Sequence, residues 1–314
     1  MKKLVSICIP TYKQTEYLRK CLESVLAQDF KDYELIISDD TPDDTIELFL
    51  KVILKDQFYS YTRNVPALGM PENWNSAIKK ADGKYIKIMH HDDFFTRTDS
   101  LRLMVEEIEK HHASFLFCQT DVFYVISNTN RIHEISDKQL ALLKTKPEFL
   151  FFKNMIGAPS TTLCINNNAF SYDKSFKWLV DIDFYMQYLF NKQKLVYLNM
   201  PLISTIHGAE GQVTNSVIDD KIIQISEHVL LYNKIKKYIH KDAGVKAFFD
   251  YLFYKYNLQS YSELESIVPT AKENETFFMT VIYGLKKNRR WKAVKKRFFE
   301  SRYNNYIFKF EQFI

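Results

Sequence analysis

The chain has 314 residues, 46% hydrophobic and 26% charged, enough to bury one large core or a core with a smaller annex. An ordinary charged fraction argues against general disorder, and seven glycines with no internal repeat argue against collagen-like, propeller or glycine-rich architectures. The net charge of +5 is uneven: from residue 286 to the end, ten Lys or Arg meet two acids, a local +8 that leaves −3 for the rest.

An apolar strand over 4–9 is closed by Pro10. Leu18, Cys21, Leu22, Val25 and Leu26 recur at i, i+3, i+4, i+7 and i+8, which predicts a helix over 15–28 with one buried face. A second strand over 33–38 ends in Asp39-Asp40, Asp43-Asp44 suit the first turn of a helix, and 58–61 reads as a short third strand. Pro71 opens a helix to Lys80, and Gly83 separates it from a strand over 84–89. Leu101, Met104, Val105 and Ile108 mark another amphipathic helix, followed by a strand over 114–126. Residues 127–146 read as a polar loop with a short helix near 138–143, and 161–165 as a strand after a turn at 156–160. A helix with a large aromatic face covers 181–191, and 195–199 and 202–207 are two short strands. Beyond Val217 the pattern is helical, with breaks expected near Gly244, Pro269 and Gly284. The domains are therefore drawn as 1–215 and 216–314. Alternating strands and helices predict an α/β domain, a mostly parallel sheet with helices on both faces, followed by a C-terminal helical region.

Ligands of such sheets bind beyond the carboxyl ends of the strands, where both Asp39-Asp40 and Asp92-Asp93 fall. The strand at 84–89 alternates apolar and charged residues, with Tyr85, Ile86, Ile88 and Met89 suited to burial. An acidic pair at its end suits a hard divalent cation, Mg²⁺ or Mn²⁺, shared with substrate phosphates. A solvated acidic turn is the competing reading.

Four motifs stand in register: Val5-Ser6-Ile7-Cys8-Ile9-Pro10-Thr11-Tyr12, Ser24-Val25-Leu26-Ala27-Gln28, Glu34-Leu35-Ile36-Ile37-Ser38-Asp39-Asp40 and Gly83-Lys84-Tyr85-Ile86. In this order the chain resembles bacterial-type inverting family-2 glycosyltransferases of the GT-A (nucleotide-diphospho-sugar transferase) fold, over roughly 1–215. The resemblance implies a nucleoside diphosphate sugar donor, UDP-linked by preference, and hexosyl or N-acetylhexosaminyl transfer to a hydroxyl of a glycan or lipid-linked acceptor, leading to a surface polysaccharide. It implies Pro10, Thr11 and Tyr12 around the base and Asp40 accepting from the N3–H of uracil, since an ionised carboxylate is acceptor-only. Asn75 and Asp92 belong to the same donor side, although packing explains Asn75 almost as well.

Asp93 matches the last acid of the metal-binding Asp-x-Asp motif, with His91 standing where the first acid is usual. Asp92 or a water then supplies the missing oxygen, and His207 resembles the histidine that contributes to the metal or the diphosphate. Gly157 fits the flexible glycine near the acceptor. Trp178-Leu179-Val180-Asp181-Ile182-Asp183 looks like the catalytic acid motif, with Val180 replacing the usual glutamate. Asp181 is the expected general base and Asp183 an acceptor-side support; the reverse assignment stays open.

No apolar run approaches the ~18 residues needed to span a bilayer, and the apolar stretch after Met1-Lys2-Lys3 is too short for a signal peptide. Four dispersed cysteines lack metal-ligand spacing, so a cytoplasmic enzyme with reduced thiols is expected. A nucleotidyltransferase would need a glycine-rich basic loop after the first strand, and a dehydrogenase Gly-x-Gly-x-x-Gly; neither is present. A catalytically impaired, glycan-binding or scaffold relative of the transferases is the alternative that His91 and Val180 encourage. The basic and aromatic tail over 286–299 suits docking on the anionic inner face of a membrane, or a packed helix with a basic face; no motif accompanies it for nucleic acid.

Overall fold

The computed structural model describes residues 2–191, 194–209, 212, 217–239 and 242–288. It divides into two compact units, 1–136 with 155–212, and 137–154 with 213–314. Residues 137–154, inside the 1–215 span drawn from the sequence, thus group with the C-terminal unit.

In the first unit β1 (Val5–Thr11), β2 (Tyr33–Asp39), β3 (Ser60–Arg63) and β4 (Tyr85–Ile88) pair in parallel, in the order β3-β2-β1-β4. Beyond β4 the sheet is mixed. β5 (Phe94–Phe95) lies antiparallel to β9 (Leu195–His207), and β9 runs parallel to β6 (Phe115–Tyr124). The other side of β6 is shared by β7 (Thr129–His133) and β8 (Thr162–Ile165), both antiparallel, and β8 joins β4.

Period-2 alternation sends neighbouring β1 side chains to opposite faces. Val5, Ile7 and Ile9 meet α1 (Thr15–Leu26), α2 (Thr45–Ile53) and α4 (Ser100–Lys110) through Leu18, Leu22, Ile46, Leu50, Leu101 and Met104. Cys8, Ile36 and Ile86 face α3 (Glu72–Ile78). Further along, α6 (Val180–Phe190) lays Tyr185 and Tyr188 on Phe115. Each fully buried aliphatic side chain contributes about 1.5–3 kcal/mol. Gly83 is required by close approach: a Cβ there would lie 2.6 Å from the Ser6 backbone nitrogen.

Several local expectations are corrected. β1 runs through Pro10 to Thr11, because the β4 pairing ends at Cys8 and asks for no N–H from Pro10. The two strands expected over 195–207 are one, with register shifts at Gln119 that absorb the irregularity around Pro201. The polar loop at 127–146 holds β7 and a longer helix, α5 (Asp137–Thr145). The third strand starts at Ser60, leaving Phe58 exposed.

The second unit comprises α5, a 3₁₀ turn at Pro147–Phe151, α7 (Lys221–Ile235), α8 (Asp242–Lys255), α9 (Tyr261–Ile267), a second 3₁₀ turn at Pro269–Asn274, and α10 (Glu275–Asn288). Its core is aromatic: Phe151 meets Phe248 at 4.9 Å between centroids, and Phe249 meets Phe278 edge-on at 5.1 Å. Asp220 caps α7 and Ser260 caps α9, each accepting a backbone N–H. The expected break at Pro269 is present. Gly244 and Gly284 instead lie inside α8 and α10, since a helical glycine costs only about 1 kcal/mol and tertiary packing offsets it. No helix among the described residues is long and apolar enough to cross a membrane. The basic stretch from 289 onward lies outside the described residues.

Candidate active site

The carboxyl ends of β1, β2 and β4 bring the predicted residues to one edge of the sheet, in two groups. In the first, the Thr11 carbonyl accepts from the Asp40 amide at 3.0 Å and from Asn73 Nδ2 at 3.1 Å. Pro10 and Thr11 are buried, whereas Tyr12 is half-exposed with the Lys13 ammonium over its ring. The buried Asp40 carboxylate accepts from Asn64 Nδ2 at 2.8 Å, the Leu68 amide at 3.1 Å and the Gly69 amide at 2.7 Å. A carboxylate has about four acceptor positions, so most of those of Asp40 are filled from within. Asp39 accepts from the Thr41 amide and from the Tyr61 hydroxyl, both at 2.8 Å. Burial raises the Asp39 pKa against those bonds and pushes up the Tyr61 phenol.

In the second group, His90, Asp92 and Asp93 each offer one ligand atom within 4.8 Å of the others. The strand ends at Ile88, and the turn that follows carries all three. His90 Nδ1 lies 3.9 Å from Asp93 Oδ2, and its ring packs on Trp74 at 4.5 Å between centroids. Burial pulls the His90 pKa down to about 4, leaving a neutral imidazole at pH 7. Its Nε2 is buried without a hydrogen-bond partner among the described residues. Burial, and then the Asp92 charge, pushes Asp93 far above the usual carboxylate range; a Ser160 hydrogen bond and Lys87 oppose this. Asp92 is more accessible and accepts from Gln212 Nε2 at 3.0 Å.

Two participants went unread in the sequence. Lys87 is fully buried, and its ammonium donates to the carbonyls of Ser160 and, at 3.4 Å, Thr162, with the Phe95 ring 5.4 Å away. Desolvation pulls its pKa down to about 8. Ser160 also accepts the His90 amide at 2.9 Å, so one serine joins the strand-end turn to the Gly157–Ser160 stretch. His90 was missed because the first motif position was assigned to His91, which does not join the cluster. Counting on from the buried Met89 was the available signal.

Gly157 has φ +101°, and its carbonyl accepts the Tyr185 hydroxyl at 3.0 Å. Asp181 sits in the first turn of α6, where one carboxylate oxygen accepts from the Ile182 amide. Asp183 is buried and accepts from Gln187 Nε2 at 3.1 Å. Asn75 spends both ends of its amide on the Tyr172 backbone, at 2.8 and 3.0 Å. His207 ends β9, exposed, with its ring 4.9 Å from that of Tyr124, and is not in the ligand cluster.

The sequence profile described as Glycosyl transferase family 2 matches residues 6–176, more than half of the chain, and the chain belongs to that family. It is 28% identical over 215 residues to the abequosyltransferase RfbV of Salmonella typhimurium, an alignment covering 64% of this chain and 62% of that protein. Among solved structures it is similar to S. aureus TarS in complex with UDP-GlcNAc, with a TM-score of 0.59, 16% identity and 92% of both chains covered. A mannosyltransferase from Pyrobaculum calidifontis in complex with GDP-Man and Mn²⁺ gives a TM-score of 0.56 at 12% identity, covering 94% of this chain and 87% of that one. The α/β architecture is the GT-A fold.

Proposed function

We propose that this chain transfers a sugar from a nucleoside diphosphate donor, UDP-linked by preference, to a hydroxyl of a glycan or lipid-linked acceptor, with inversion at the anomeric carbon. What supports the reading is one juxtaposition. The Tyr185 phenol is pushed far up, first by burial and then by Asp181 and other neighbours, Asp93 among them. Carboxylates from two separate elements thus act on the charge of a phenol that is itself bonded to the Gly157 turn. Asp181 takes the proton of the acceptor hydroxyl, whose oxygen attacks the anomeric carbon as the nucleoside diphosphate leaves. His90, Asp92 and Asp93 fit a divalent cation, with three convergent donors and one buried ring nitrogen otherwise without a partner. Such a cation, when bound, neutralises charge on the departing diphosphate. Pro10, Thr11, Tyr12 and Asp40 form the base end of the donor site, and Gly157 and Asp183 the acceptor side.

The test is a thermal-shift screen with UDP, GDP, dTDP and CMP in the presence of Mn²⁺. A ligand at 100 times its Kd stabilises by about 2.7 kcal/mol, and UDP is expected to give the largest shift. No shift with any nucleotide overturns the reading. Asp181→Asn should keep donor affinity while turnover falls by ~10²–10⁴. Loss of donor binding instead, or loss of turnover in Asp183→Asn alone, moves the base elsewhere.

A further inference from the structure

We infer that His90 is a direct nitrogen ligand of the cation, so that the site is tuned away from Mg²⁺ toward metals that accept imidazole. The inference rests on the cation reading above and goes beyond it, because an all-oxygen set and a set containing one nitrogen select different ions. Three observations carry it. His90 is the member of the ligand cluster contributed by the position straight after the buried Met89, so its backbone is fixed by the strand end. Its amide is held by Ser160 Oγ at 2.9 Å and its ring by Trp74, which sets the ring orientation without using a ring nitrogen. Its Nε2 then lies buried with no hydrogen-bond partner among the described residues, a position that costs free energy unless something binds there.

The spacing is suited to an ion. Donors on a cation with bonds of about 2.1 Å sit about 3 Å apart when adjacent and about 4.2 Å apart when opposite. One ligand atom each from His90, Asp92 and Asp93 lies within 4.8 Å of the others, close to that range. Mg²⁺ is hard, prefers oxygen and gives up water reluctantly. Imidazole favours later metals, with affinity rising from Mn²⁺ to Co²⁺ and beyond. One histidine with two aspartates is thus a donor set for Mn²⁺ or Co²⁺ over Mg²⁺.

Pulsed EPR on Mn²⁺ bound to the full chain with UDP, the protein carrying ¹⁵N-labelled histidine, reads the ligand directly. The expected result is a coupling from one metal-bound nitrogen that vanishes in His90→Asp while Mn²⁺ still binds. In parallel calorimetry, the preference for Co²⁺ over Mg²⁺ should shrink by at least ~10-fold in His90→Asp. Mn²⁺ bound without nitrogen coupling, or a coupling that survives in His90→Asp, overturns the inference and leaves the cation reading standing. No binding of Mn²⁺, Co²⁺ or Mg²⁺ at millimolar concentration, with or without UDP, removes both.

Discussion

Asp39-Asp40 and Asp92-Asp93 are the same dipeptide at the same kind of place, the carboxyl end of a parallel strand, yet their surroundings are opposite. The first pair is bonded from within: two backbone amides and an asparagine reach Asp40, and an amide and a phenol reach Asp39. The second pair has Gln212 on one carboxylate and Ser160 on the other, and beside them a buried imidazole nitrogen without a partner. One acidic pair shapes a loop and the other is left available. Acidic residues at a strand end do not by themselves make a cation site; the number of protein donors already spent on them separates the two cases.

The contrast can be broken most sharply at Asp40. Asp40→Ala leaves the Leu68 and Gly69 amides and Asn64 without their acceptor, and should cost about 4.5 kcal/mol or more of stability in urea melts, given about 1.5–3 kcal/mol for each bond to a charged group. A loss below about 1 kcal/mol would mean that these three bonds do not hold the loop.

Lys87 comes next, because a buried ammonium lies near the available pair. Its folded pKa, about 8, is below the model-compound value of 10.5, so between those limits the unfolded chain binds more protons. Stability attributable to this group therefore rises with pH across that window. Measured against Lys87→Met, the parent should gain about 3 kcal/mol between pH 7 and pH 10.5. A difference that does not change with pH would mean that Lys87 titrates alike in the folded and unfolded chains, and that burial does not lower its pKa.

Asp92→Asn should have the smallest effect. The variant side chain can still accept from Gln212, so stability should move by less than about 0.5 kcal/mol. Mn²⁺ affinity should nonetheless fall at least ~10-fold by calorimetry, about 1.4 kcal/mol. Unchanged affinity would shift the burden to His90 and Asp93.

The half of the sheet made by β1 to β4 was legible because its apolar runs, amphipathic helices and turn residues agree with one another. The mixed half was less so. β5 is two residues long, and the β7 segment, Thr-Asn-Arg-Ile-His, is polar because it is mostly exposed, so neither carries a burial pattern. The strand-end and helix-start positions of the acids, and the turn at Gly157, were readable from the sequence. Lys87 was not, because a charged residue in an alternating strand reads as solvent-facing, and only the carbonyls of Ser160 and Thr162, distant in sequence, make its burial tolerable. His90 was hidden by one place of register.

The path of the chain through its two units has a practical meaning for dissection. Residues 137–154 leave the first unit and return to it, and within the second their Phe151 packs on Phe248 and Phe249. No single cut yields either unit whole. Ending the chain near 215 would strand Leu150 and Phe151 without the helices that cover them, and present an adhesive apolar face to solvent. Excising 137–154 along with the C-terminal unit, and bridging Ser136 to Met155 with a short linker, is the division that the contacts of the fold permit.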